Sequence, residues 1–86
     1  MARVQVYLTR SCPYCVRAKR LLQERGLAYQ ETDVSSDPEL RTRVMERSGG
    51  RRTVPQIFID DRSIGGYEEL AELDASGELA TLTRGE

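Results

Sequence analysis

The chain turns from strand to helix across Ser11-Cys12-Pro13-Tyr14-Cys15, and that turn narrows the folds open to it. Before it, Val4-Gln5-Val6-Tyr7-Leu8 alternates as a strand does, with Val4, Val6 and Leu8 on one face. After it, Ala18, Leu21 and Leu22 recur at helical spacing while Arg17, Arg20 and Glu24 take the outer face, which predicts a helix over 13–25. A second strand pattern at 28–34 completes a strand–helix–strand unit of about thirty residues, which reads as two parallel strands with a right-handed crossover. Pro13 suits the first helical position, where no backbone N–H is needed, and this puts Cys12 at the helix N-terminus.

These are the only two cysteines in the sequence. A free thiol titrates at about 8.5, and its thiolate is the reactive form. Unpaired N–H groups and the helix dipole favour that thiolate at Cys12. The dipole contributes about 0.3–1 kcal/mol, up to about 2 when partly buried, which lowers the value by roughly one unit. Cys15 lies one turn further in and is expected to be more buried. Cys12 is therefore assigned as nucleophile and Cys15 as resolving thiol. A purely stabilising disulfide is a poor alternative, because so short a loop gains only about 2 kcal/mol. Zinc is an equally poor one: a structural site wants four Cys or His ligands, and the chain has two cysteines and no histidine. No resident metal is expected.

The remaining composition excludes other classes. Thirteen basic and fourteen acidic residues nearly cancel, so no net field draws the chain to nucleic acid or an anionic membrane. No apolar run is long enough for a membrane span. Met1-Ala2-Arg3 leads directly into the first strand, leaving no room for a signal or transit peptide. The expectation is one domain over residues 1–86, monomeric and cytoplasmic, in a compartment where a Cys-x-x-Cys pair is more often catalytic than structural.

Further along, the polar stretch at 28–34 reads as an edge strand. Ser36 with Glu39 has capping-box spacing, and Asp37 with Pro38 is the alternative cap. A second helix is predicted over 38–48, with Leu40, Val44 and Met45 inward and Gly49-Gly50 as its stop. Ile57-Phe58-Ile59 predicts a strand over 56–60 that is buried on both faces, paired as an antiparallel hairpin with a short strand at Ser63-Ile64. Gly65-Gly66 opens a third helix over 67–75, with Leu70 and Leu73 inward, and Leu79 and Leu82 suggest a short closing helix. The order is βαβαββα in an α/β fold.

Three later features could hold a partner beside the sulfur. Val54-Pro55 begins a buried strand. About 5–6% of such bonds are cis, and the residues alone favour a trans proline at a strand start; a cis bond would turn the Val54 backbone outward to pair with a peptide. Gly65-Gly66-Tyr67-Glu68 places glycines at a helix N-terminus, which can bind a carboxylate, with Glu68 able to accept from an ammonium. Arg51 and Arg52 could pair with a carboxylate. Each also has an ordinary reading, as a turn or as solvated loop charges.

Taken together, Cys12-Pro13-Tyr14-Cys15, Thr53-Val54-Pro55-Gln56-Ile57-Phe58 and Gly65-Gly66-Tyr67-Glu68-Glu69-Leu70 resemble the glutaredoxin family in order and spacing, in its small bacterial dithiol form. The resemblance covers essentially the whole chain. It implies a thioredoxin fold, a four-stranded mixed sheet with helices on both faces, and a cis Pro55. It implies glutathione, γ-Glu-Cys-Gly, as co-substrate. Its cysteinyl unit would pair with the Val54 backbone, its γ-glutamyl end would meet Gly66, Tyr67 and Glu68, and its glycine carboxylate would meet Arg52 beside Thr53. Pro13, Tyr14 and Pro55 would flank the sulfur. Two positions depart from the family pattern: Thr9 stands where a lysine is usual, and Glu68-Glu69 where Asp-Asp is frequent.

The resemblance thus implies an oxidoreductase acting on glutathionylated and disulfide-containing proteins. A redoxin fed by thioredoxin reductase, and a dimer holding an iron–sulfur cluster through Cys12 and two glutathiones, are the alternatives; the Thr-Val-Pro and Gly-Gly-Tyr-Glu motifs oppose the first and the stiffening Pro13 the second.

Overall fold

A computed structural model describes residues 2–83. Met1, on which the leader reading begins, and residues 84–86 of the expected 1–86 domain lie outside the described residues.

The elements are β1 (Val4–Leu8), α1 (Pro13–Glu24), β2 (Gln30–Asp33), α2 (Pro38–Arg47), β3 (Gln56–Ile59), β4 (Arg62–Gly65), α3 (Tyr67–Ser76) and α4 (Glu78–Thr83). The strands form one sheet in the order β2-β1-β3-β4. β1 and β2 run parallel, with Gln5 opposite Gln30 and Leu8 opposite Asp33. β1 and β3 are antiparallel, and so are β3 and β4. β1 is therefore central and the polar β2 lies at an edge, as its composition predicts.

Two apolar clusters lie on the two faces of this sheet. Val4, Val6, Leu8, Ile57 and Ile59 face Cys15, Ala18 and Leu22 of α1, Leu70 of α3 and Leu79 of α4. Tyr7 and Phe58 point the other way, with Val34 and Val44 of α2, and their rings meet edge to face at 5.6 Å between centroids. Residue 58 thus opposes its neighbours 57 and 59, the period-two consequence of a strand buried on both sides.

The order ends in two helices, βαβαββαα: the predicted βαβαββα followed by the short closing helix that Leu79 and Leu82 suggest. Gly77, at φ +82°, ends α3 in the left-handed region that glycine adopts without strain. The chain then re-enters a helix that buries Leu79. The alternative caps of α2 also resolve: Asp37, not Ser36, accepts from the Leu40 N–H at 3.1 Å, with Pro38 following. Among the described residues no helix is long and apolar enough to cross a membrane.

Candidate active site

Cys12 is the N-cap of α1. Its backbone is extended, at φ −130° and ψ 102°, and Pro13 starts the helix. In this position the Cys15 N–H, one of the helix's unpaired donors, points at Cys12 Sγ, 3.1 Å away. The two cysteines are paired as a disulfide, with Cα atoms 5.1 Å apart. Cys12 is 9% exposed and Cys15 is 2% exposed. Cys15 is thus the more buried of the two, as its place one turn inside the helix predicts.

The Val54–Pro55 peptide is cis, as the family pattern implies and against what the two residues alone favour. The Val54 carbonyl lies 3.6 Å from Cys12 Sγ. A groove of about 290 Å³ opens beside it, between this loop and the start of α3. Tyr14, Thr53, Val54 and Pro55 form one side, and Gly66, Tyr67 and Glu68 the other. The structure thus brings together seven of the residues expected to bind glutathione. The rings of Tyr14 and Tyr67 are 6.2 Å apart across the groove, and the Arg17 guanidinium sits over Tyr14 at 5.2 Å. Tyr14 and Val16 are the two large apolar side chains left exposed among the described residues, both next to the cysteines.

Arg52 is placed differently. It lines a neighbouring cavity of about 420 Å³ beside α2, with Arg41, and this cavity shares Thr53 and Val54 with the groove. Arg51 lines both.

One groove residue, Glu69, had no role in the sequence reading, and Arg51, read as a possible partner for a ligand carboxylate, is engaged by it. Glu69 Oε1 accepts from the Gly66 N–H at 2.7 Å and pairs with Arg51 at 3.1 Å. Gly66, the N-cap of α3, brings no side chain of its own, so Glu69 reaches back to close the first turn. The Gly66 N–H, with a further contribution from Arg51, holds the Glu69 carboxyl below the usual carboxylate range despite its partial burial. The signal was present in the sequence, as an acid three residues after the cap position.

Among the described residues no three His, Cys, Asp or Glu side chains gather as a metal-ligand set. A disulfide whose two cysteines differ in burial, next to a groove of about 290 Å³, is suited to exchange with an external thiol. On this sheet, that chemistry defines a thioredoxin-fold dithiol oxidoreductase.

Residues 4–64 match the glutaredoxin family model. The chain is 46% identical over 84 residues to glutaredoxin 3 of Escherichia coli, covering 98% of this chain and 100% of that one. In structure it is similar to the glutaredoxin of Brucella melitensis, with a TM-score of 0.86 and 45% identity over 98% of this chain and 90% of the other. It is also similar to a buckwheat glutaredoxin–glutathione complex, with a TM-score of 0.85 and 28% identity over 93% and 74% of the two chains. The chain belongs to the glutaredoxin family, enzymes of thiol–disulfide exchange that use glutathione as co-substrate.

Proposed function

We propose that the groove beside Cys12 binds the glutathione moiety of a mixed disulfide, with Cys12 as nucleophile and Cys15 as resolving thiol. The observation that carries this reading is a groove running from the start of α3 to Val54, whose carbonyl lies 3.6 Å from Cys12 Sγ. An extended peptide across Val54 places its central sulfur at Cys12. The γ-glutamyl end then meets the first turn of α3, where backbone N–H groups suit its carboxylate and Glu68 its ammonium. The glycine end runs the other way, past Thr53 into the cavity held by Arg41 and Arg52. This direction gives Arg52 a role although it lies outside the groove itself.

The substrates in this reading are glutathionylated proteins and protein disulfides. Cys12 thiolate attacks the sulfur of bound glutathione, the protein thiolate leaves, and a second glutathione frees Cys12. On a protein disulfide, Cys15 attacks Cys12 Sγ and releases the substrate. In this reading the protein acts as a cytoplasmic monomer and as one domain.

Glu68→Ala and Arg52→Ala each remove an exposed charged partner of glutathione, worth about 1 kcal/mol after solvent screening. Each is expected to raise the KM for glutathione roughly fivefold while leaving the alkylation rate of Cys12 nearly unchanged. Wild-type glutathione dependence in both variants would remove these two residues from the site.

A further inference from the structure

Behind the disulfide a second hollow, of about 370 Å³, shares no lining residue with the glutathione groove. Cys12, Cys15, Arg10, Lys19, Glu31 and Asp33 are in its walls. Lys19 lies four residues after Cys15 in α1, so the two side chains share one helix face. Glu31 of β2 holds the Lys19 ammonium at 3.0 Å, and the Lys19 side chain is only 30% exposed. The other cation, Arg10, is 74% exposed and is drawn away toward Asp33 and Ser36, at 3.5 and 3.2 Å. Lys19 is thus the cation on the Cys15 side of the hollow.

Cys15 has to become a thiolate before it can resolve anything, and its burial opposes that. We propose that Lys19 is a positioning residue for this second half of the exchange, its ammonium favouring the thiolate of Cys15. The proposal rests on the reading of Cys15 as resolving thiol. In the step, Cys15 S–H gives its proton to water in the hollow. The thiolate attacks Cys12 Sγ, and a Cys12–Cys15 bond forms as the Cys12–substrate S–S bond breaks. The substrate sulfur leaves with the electron pair and is protonated by solvent. The dithiol is oxidised by two electrons and the substrate disulfide is reduced by two.

The charged groups around Cys15 come from several elements. Lys19 is on α1, Arg10 in the turn before it, and Glu31 and Asp33 on β2; Glu68 and Glu69 of α3, with Arg51 and Tyr67, lie on the groove side. The two β2 carboxylates oppose a thiolate, and each is engaged by a cation, Glu31 by Lys19 and Asp33 by Arg10. Removing the Lys19 charge therefore leaves Glu31 facing the thiol unopposed.

The test is the titration of Cys15, followed by ultraviolet thiolate absorbance in a Cys12→Ser background. Lys19→Met should raise its midpoint by about 0.5–1 pH unit, and Lys19→Arg should restore it. At pH 7 the thiolate fraction then falls roughly three- to tenfold. The more basic thiolate is a better nucleophile, which returns about half of that loss on a logarithmic scale. Protein-disulfide reduction by the dithiol enzyme should therefore slow about two- to threefold in Lys19→Met. A midpoint that stays put in Lys19→Met, or rises equally in Lys19→Arg, overturns the proposal, the second result marking a structural role. If instead Cys15→Ser keeps its protein-disulfide reduction, the resolving role itself fails, and Lys19 loses its function with it.

Discussion

Cys12→Ser is expected to lose both deglutathionylation and protein-disulfide reduction, while Cys15→Ser loses only the second. The difference follows from where the sulfurs sit. Cys12 caps α1 with its Sγ 3.6 Å from the Val54 carbonyl at the groove's edge, so in the proposed reading every exchange with an external sulfur begins there. Deglutathionylation needs no second enzyme thiol, because free glutathione resolves the intermediate. Removing Cys15 also removes the side reaction that closes the Cys12–Cys15 disulfide, so deglutathionylation by Cys15→Ser should equal or exceed wild type. Protein-disulfide reduction by the same variant should stall at a Cys12–substrate bond and fall at least tenfold, on the order of what loss of a covalent step costs. Mass spectrometry of Cys15→Ser after exposure to oxidised glutathione should show one added glutathione. A Cys15→Ser protein inactive in both assays, or an active Cys12→Ser, would reverse the assignment of the two thiols.

Gly65→Ala is expected to have a large effect on stability and on the groove while sparing the cysteines. Gly65 ends β4 at φ +118°, in a region L side chains rarely adopt, and that strain costs roughly 1–3 kcal/mol. A Cβ there would lie 2.7 Å from Arg51 Nη1, 2.7 Å from Glu69 Oε1 and 2.9 Å from Glu69 Cγ. The two side chains can swing aside, but Glu69 then releases the Gly66 N–H and leaves the first turn of α3 open, at a further cost of about 0.5–1 kcal/mol. The expected loss is about 1.5–4 kcal/mol by urea denaturation, together with a higher KM for glutathione, since α3 and Arg51 form the groove wall. Acid should narrow the gap. The folded-state value of Glu69 lies below its unfolded one, so its contribution is present above the ordinary carboxylate range and disappears as pH falls through the folded value. Below that point the variant and the wild type should differ by the backbone strain alone. An unchanged urea midpoint would mean that this turn does not hold the groove.

Much of this architecture was legible because local patterns and global fold agree. Ile57-Phe58-Ile59 can be buried on both faces only in a strand between two neighbours, and β3 lies between β1 and β4. Cys-Pro-x-Cys between an alternating run and a helical one fixes both the N-cap and the order of thiol burial. The cis peptide at Val54–Pro55 was not legible from the two residues, since a proline at a strand start is ordinarily trans; only the family pattern implied it. Position 52 against position 51 could not be read either. Which of two adjacent loop arginines turns into the groove depends on Glu69, eighteen residues later and across the loop. The hollow behind Cys15 was equally hidden, because it forms only when the parallel register brings Glu31 beside the face of α1 that carries Lys19. The short closing helix was legible from Leu79 and Leu82, and Gly77, whose turn separates it from α3, sets where it begins.

The central claim is that this enzyme draws its electrons from glutathione through the groove beside Cys12. The most direct measurement is reduction of a small disulfide coupled to NADPH oxidation, with glutathione and glutathione reductase in one arm and thioredoxin reductase in the other. Turnover that needs glutathione, saturates with it and vanishes in Cys12→Ser is the predicted result. Equal or faster turnover with thioredoxin reductase and no glutathione would contradict it.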